Sequence, residues 1–373
     1  MGWTHSLNHG LFLSISPLIP LMATDGYDYS TIGLLLSVYL FLYSMGALVS
    51  APLLRITEDR KALFLTIGLQ GGSAFLLLLP GVMGVALYLA FSGIFASLYH
   101  PVANVFIFGR FKGNVNTAMG LHGTGGNLAQ FVFPILSSLL AASLGWKTTL
   151  IAISLLGVCS SPFYMLASRQ GSYGENRGQS VGNYLKVVKY RPLWLLIAFS
   201  VVFNLYYRGI EIFLPTFLSL ERGVSAEMSS FALSIALIGG ALGQYVGGIV
   251  GDRCGEVTMV LMASLLGVSS VIALQLAHGF WIIAPVVALL GLAFYSHQPA
   301  ANALLGKTIS DELRPYVYSV WFFVTFFAAS PSTLFVGIMG EHLGFANAIM
   351  VCSFVALVPV LVAMYLHRRR PPR

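Results

Sequence analysis

Two ionisable residues of opposite sign, Arg208 and Glu211, stand three positions apart in the otherwise uncharged stretch Asn204-Leu-Tyr-Tyr-Arg208-Gly-Ile-Glu211. On a helix that spacing sets them on neighbouring faces, where they can pair. Two roles are open. The pair can neutralise itself as a structural element. Alternatively, the planar donor fork of Arg208 can hold a carboxylate or phosphate, with Glu211 carrying or releasing a proton. Asn204, Tyr206 and Tyr207 can add hydrogen bonds to a substrate beside them.

Histidines form a second group. His5 and His9 are four apart and share a helical face; His100, His122 and His297 lie in other apolar stretches. Imidazole titrates near neutral pH and can relay protons. It also ligates transition metals, or it can simply join helices by hydrogen bonds. No acid or thiolate accompanies these histidines, so no metal ligand is assigned among them. His9 is placed with Glu211 as a proton carrier, and His100, His122 and His297 as substrate contacts. Asn8, Asn127, Gln130, Gln298 and Asn302 are neutral polar residues in the same kind of surroundings. Asn8, Asn127, Gln298 and Asn302 join Asn204, Tyr207 and Arg208 as expected binding residues.

The elements that carry these groups follow from composition. The chain has 373 residues, 57% hydrophobic and 9% charged, with a mean hydropathy of +0.82. A soluble chain carries roughly a quarter charged residues, so this one lacks the polar surface to face water, and lipid is its solvent. Spans are read at 4–24, 30–53, 62–80, 82–108, 117–143, 146–167, 193–219, 226–250, 257–278, 280–305, 316–339 and 345–366. Each is long enough for the ~20 residues a hydrocarbon core requires. Within lipid an ionisable side chain is costly and is read by default as functional. The expected fold is therefore all-α: twelve transmembrane helices in two six-helix bundles, 1–167 and 193–373, joined by a cytoplasmic linker at 168–192.

Charge orients the spans. With the N-terminus in the cytoplasm, 17 of the 20 Lys and Arg residues fall on that side, as positive-inside bias demands. This explains the net charge of +7 without nucleic acid. Both termini are expected inside, in the cell membrane, as a monomer. Cys159, Cys254 and Cys352 are scattered and form no disulfide or metal motif, and no cleavable leader is evident.

The halves look like copies. Pro101-Val-Ala103-Asn104 in span four returns 198 residues later as Pro299-Ala-Ala301-Asn302 in span ten, and paired repeats with a site between them are a recurrent transporter plan. Gly239, Gly243, Gly247 and Gly251 line one face of span eight, the mark of close helix packing or of a sliding contact. Prolines at 17, 20, 101, 134, 215, 299 and 331 permit kinks. The aromatic run Trp321-Phe322-Phe323 with Phe326 and Phe327 faces lipid or the core, with one face free to line a cavity.

After the glycine face comes Gly248-Ile-Val-Gly-Asp252-Arg253-Cys-Gly255. It resembles the G-x-x-x-D-R-x-G loop of the major facilitator superfamily, in the place of that family's second copy. Arg55-Ile-Thr-Glu-Asp59-Arg60-Lys61 resembles a decayed first copy. The resemblance implies that Asp252 and Arg253 gate the inner mouth. Thr4-His5-Ser-Leu-Asn8, Tyr99-His100-Pro101 and Gly125-Gly126-Asn127 with Pro134 resemble, in order, motifs of fosmidomycin-resistance-type exporters. The chain differs from that group in carrying His9 where an acid is usual and His122 where Gln is usual.

The expected function is alternating-access transport of a small anionic or amphipathic organic molecule, coupled to protons and, by that resemblance, directed outward. Uptake or facilitated diffusion of an organic anion is the alternative, and transition-metal transport a lesser one. No P-loop supports direct ATP use, and no catalytic motif such as HExxH or GxSxG supports an intramembrane enzyme. No cofactor is expected; the partners are the substrate, protons and lipid.

Overall fold

The computed structural model describes residues 2–56, 59–100, 103, 115–167, 181–307 and 313–368. Pro101, Asn104, Arg110, Lys112, the polar stretch 168–180 and the basic tail 369–373 lie outside them. Among the described residues every regular element is helical.

Nine apolar stretches are long enough to cross a membrane, and Leu63–Leu78 and Gly81–Ser97 are shorter apolar helices. One of the nine runs through Gly145, where φ of 71° breaks the helix Val115–Ala167 into spans five and six. The twelve spans are thereby accounted for. Span one is Gly2–Thr24, broken at Ser14 and Ile15 and carried on by a 3-10 turn, Ser16–Leu18, that contains Pro17. Span two is Tyr29–Ile56. Span three is Asp59–Gly72 with a 3-10 extension to Leu78. Span four opens at Gly81. In the second half, span seven is Arg191–Glu221, span eight Ala226–Cys254, span nine Glu256–Leu276, span ten Phe280–Lys307 and span eleven Arg314–Leu343. Span twelve is Phe345–Val355 continued by Leu357–Arg368. A short helix, Val181–Lys189, occupies part of the stretch expected as linker. Its Tyr184 packs edge-on against Tyr316 of span eleven, and its Val187 joins the same apolar cluster.

Packing repeats between the halves. Span one lies on span five as seven lies on eleven, two on four as eight on ten, and three on six as nine on twelve. The hairpins five–six and eleven–twelve both turn on a glycine of positive φ, Gly145 and Gly344. An L side chain is strained there. Glu221 closes the second of these turns, accepting from the backbone N–H of Phe345 and, at 2.9 Å, of Ala346. A carboxylate suits the exposed amides that start a helix.

The glycine face of span eight is a packing seam against span ten. A methyl group added at Gly239, Gly243 or Gly247 would stand 2.0, 2.4 and 2.1 Å from the carbonyl oxygens of Ala288, Leu292 and Ser296. Only glycine allows backbones this close.

The halves meet along two further seams, span two on eleven and span five on eight. At the end opposite the chain termini the first is closed by polar contacts. Ser30 N–H donates to Glu341 Oε2 at 2.8 Å, Gly33 and Gly337 touch backbone to backbone, and Ser330 Oγ donates to the Ser37 carbonyl at 2.8 Å. At this end Asp28 caps span two, and the Thr31 amide holds its carboxyl below the usual carboxylate range.

Candidate functional site

In the first half the sequence-predicted residues converge on the start of span one. Asn8 is buried and fully engaged. Its amide nitrogen donates to the Ala96 carbonyl at 3.0 Å, its oxygen accepts from Tyr43 Oη at 3.0 Å, and its backbone carbonyl accepts from Gln70 Nε2 at 3.0 Å. One residue thus ties span one to spans two, three and four. With those bonds made, Asn8 positions its neighbours rather than offering a free amide. Tyr43 and Gln70 carried no sequence signal for this junction.

His9 Nε2 and His100 Nε2 are 3.0 Å apart. His5 Nδ1 lies 2.9 Å from the His122 carbonyl oxygen. A carbonyl only accepts, so the proton is on Nδ1. Gly126 makes room for this ring: an added methyl group would meet His5 Nδ1 at 2.3 Å. Gly125 lies against Gly2, and Ser6 Oγ donates to its carbonyl. The Gly125-Gly126-Asn127 string is therefore a seat for span one on span five. His100 also stacks under Phe322 and Phe326 of span eleven, at ring separations of 5.8 and 6.2 Å. The histidine group thus touches the second half, and one side of the aromatic run faces inward.

In the second half Arg208 and Glu211 form an ion pair, their side chains 11% and 1% exposed. Arg208 also lies over the Phe294 ring, 5.4 Å from its centre, and its Nε has no hydrogen-bond partner among the described residues. Tyr295 Oη, from span ten, stands 3.1 Å from Glu211 Oε1 and 3.1 Å from Gln130 Oε1 of span five. A phenol has one proton to give. With the Gln130 amide turned so that its NH2 faces the phenol, Gln130 donates to Tyr295 and Tyr295 donates to Glu211. That turn points the Gln130 oxygen at the buried Asn127, 3.4 Å away, whose amide, turned likewise, donates to it. A polar chain Asn127–Gln130–Tyr295–Glu211–Arg208 therefore crosses from one half to the other. Tyr295 is the residue that sequence reasoning missed: an aromatic in an apolar span reads as core until its hydroxyl partners are seen.

Of the other predicted residues, all but Tyr207 lie apart from this chain. Asn204 spends its amide on the Ser200 carbonyl of its own helix, at 2.9 Å. Buried Tyr207, by contrast, belongs with the pair: its ring stacks on Phe294, centres 3.7 Å apart, and its hydroxyl bonds the Glu211 carboxylate. His297 is also buried and bonds the Phe294 carbonyl one turn back. It sits in an aromatic pocket, stacked on Phe203 at 4.1 Å, and not with the first-half histidines. Gln298 faces Gln244 of span eight at 3.4 Å. The side chain of Asn302 lies outside the description. Asp252 and Arg253 are exposed on the last turn of span eight, at the end of the bundle that carries the termini.

The architecture matches known proteins along its whole length. The family model described as Major Facilitator Superfamily matches residues 2–236 and 207–373. The chain belongs to the major facilitator superfamily. Among curated relatives of this transporter, the fosmidomycin resistance protein of Escherichia coli (strain K12) is 24% identical over 299 residues, 77% of this chain and 71% of the relative. The uncharacterized MFS-type transporter YfnC of Bacillus subtilis (strain 168) is 23% identical over 321 residues, 79% and 75% of the two chains. In fold the transporter is similar to a bacterial homolog of the human lysosomal transporter Spinster, in its inward-facing and occupied conformation. The TM-score is 0.84 at 13% identity, covering 100% of this chain and 97% of that one. It is also similar to the nucleoside transporter NupG, with a TM-score of 0.80 at 12% identity and 98% of each chain covered. Superfamily membership sets aside the intramembrane-enzyme reading.

Proposed function

We propose that this superfamily member is a secondary transporter for a small organic anion, that Arg208 binds the anion, and that Glu211 carries a proton with it. The observation that supports this reading is the Arg208–Glu211 pair beside the cross-half link through Tyr295 and Gln130. Charge balance decides the coupling. Empty, the site is neutral because Glu211 answers Arg208. When an anion takes Arg208, Glu211 is left as a carboxylate with 1% of its side chain exposed, and such a group neutralises itself by taking a proton. The loaded site, with guanidinium, anion and carboxylic acid, is neutral again. Proton-for-anion exchange would instead require a site holding the proton alone, with Arg208 unanswered in a buried setting. Isolated buried charges of that kind cost several kcal/mol, roughly. The geometry therefore favours anion and proton moving together, in alternating access between halves that rock about the seams of spans two–eleven and five–eight. Asp252 and Arg253 are assigned to the gate at the terminus-bearing end, and His9, while it holds no metal ion, to relaying the proton.

A second reading is outward drug or metabolite export. It is supported by the 24% identity to a fosmidomycin resistance protein and places the same anion site in an exporter. Transport into proteoliposomes separates the two. A panel of small carboxylates, phosphonates and phosphate esters is offered with the outside more acidic, then with the gradient reversed. Accumulation only on the side to which protons flow is the expected result. Accumulation on the side from which protons flow supports export by exchange. No anion of the panel moving under either gradient overturns the reading.

A further inference from the structure

We propose that His5, His9 and His100 form a binding site for one divalent transition-metal ion of the imidazole-preferring class typified by zinc. The Arg208 charge reaches His9 and His100, but the site shares no ligand with the Arg208–Glu211 pair, and no part of the argument depends on the anion reading. It departs from the sequence expectation, which assigned no metal ligand because no acid or thiolate stood near these histidines.

Convergence is the first argument. The three ring centres form a near-equilateral triangle, with His5–His9 at 4.9 Å, His9–His100 at 4.9 Å and His5–His100 at 5.1 Å. One ring nitrogen from each lies within 4.8 Å of the others. Zinc with tetrahedral bonds of about 2.0–2.1 Å needs ligand nitrogens about 3.3 Å apart. The His9 and His100 Nε2 atoms, at 3.0 Å, are close to that separation. Small side-chain rotations bring in the third. Holding helices together needs one imidazole at each joint, whereas here three point at one place.

Preparation is the second. Because His5 donates its Nδ1 proton to the His122 carbonyl, the neutral ring keeps its lone pair on Nε2. Metal-binding histidines are held this way, with the far nitrogen donating to a carbonyl or carboxylate that fixes tautomer and ring plane. The backbone around the group is fixed too. Asn8, next to His9, anchors span one to three other spans, and Gly126 seats the His5 ring. All three histidines remain partly accessible, so an ion can reach them.

Ligand chemistry selects the ion. Three neutral nitrogens without a carboxylate do not suit calcium or magnesium, which take oxygen ligands. Imidazole suits zinc, copper, nickel and cobalt. Three imidazoles with an open position is the ligand count of sites where zinc also binds a water or a small anion.

The test uses full-length protein purified without a polyhistidine tag and stripped with chelator. Zn2+ is titrated by calorimetry, and Co2+ by the visible absorption of its tetrahedral complexes. One ion per chain is expected, with the cobalt bands lost on adding Zn2+. His9→Gln and His100→Gln keep a hydrogen-bonding side chain of similar reach and are expected to weaken binding by about a hundredfold or more, beyond the 10–100-fold typical of losing an outer-shell partner. His278→Ala, at an exposed turn far from the triad, is expected to bind like the parent. Thermal melting without metal checks that each variant is folded. Absence of stoichiometric binding by the parent, or equal affinity in folded His9→Gln and His100→Gln, overturns the proposal.

Discussion

Arg208→Ala is expected to abolish anion transport and to lower stability, and a second variant separates the two losses. Truncation leaves Glu211 with 1% of its side chain exposed and only neutral phenols facing it, Tyr295 at 3.1 Å and Tyr207. Removing one member of a buried ion pair costs about 3–5 kcal/mol because the remaining charge is stranded. That is a large fraction of a fold's net stability. The double variant Arg208→Met with Glu211→Gln strands nothing: both replacements are neutral and of similar length, and glutamine keeps an acceptor for Tyr295. Its melting temperature is expected near the parent's, while anion flux stays at background. Arg208→Lys keeps the charge but loses the planar fork. Its apparent affinity is expected to fall about tenfold or more, as a hydrogen bond to a charged group is worth about 1.5–3 kcal/mol. Parent-like flux in the folded double variant would mean that the pair is purely structural.

The second large effect belongs to the seam between spans eight and ten. Gly247→Ala is expected to lose most folded protein, measured as monodisperse yield and melting temperature. The added methyl group would sit 2.1 Å from the Ser296 carbonyl oxygen, which is backbone and cannot turn aside. Relief requires the two helices to part along their whole contact, including the neighbouring approaches at Gly239 and Gly243. Overpacking a core costs about 1–3 kcal/mol when side chains can shift, and here the opposing atom is fixed, so the cost lies at or above the top of that range. Gly248→Ala is the control one residue along: an added methyl group there has nothing within 4 Å, and no change is expected. The displacement would also reach the polar chain, since span ten carries Tyr295, whose ring an added methyl group at Gly240 would meet at 2.3 Å.

Much of this was legible before any coordinates. Spans announce themselves by length and hydropathy, because a chain with 9% charged residues has few other ways to satisfy its backbone in lipid. The i, i+4 glycines were legible as a packing face, although nothing in the string named span ten as the partner. Arg208 and Glu211 stood out because charge inside a span is rare, and three-residue spacing allowed them to pair. What remained hidden was the partner across an interface. Tyr295 and Gln130 are far apart in sequence, and either alone reads as core or helix contact. His297 was grouped with the other histidines by residue type, yet its ring turns back to the Phe294 carbonyl and fills an aromatic pocket, a choice set by packing that sequence does not display. The helix Val181–Lys189 was passed over because its polar surroundings read as linker.

The coupling role of Glu211 is tested most directly by Glu211→Gln in proteoliposomes with the membrane potential clamped, comparing substrate counterflow with accumulation driven by a pH gradient. Glutamine is neutral like the proton-loaded acid, so the variant mimics the loaded state permanently. The account predicts that counterflow of the anion persists while accumulation in response to the pH gradient disappears. Accumulation that still scales with the pH gradient would show that the proton travels elsewhere and would contradict the account.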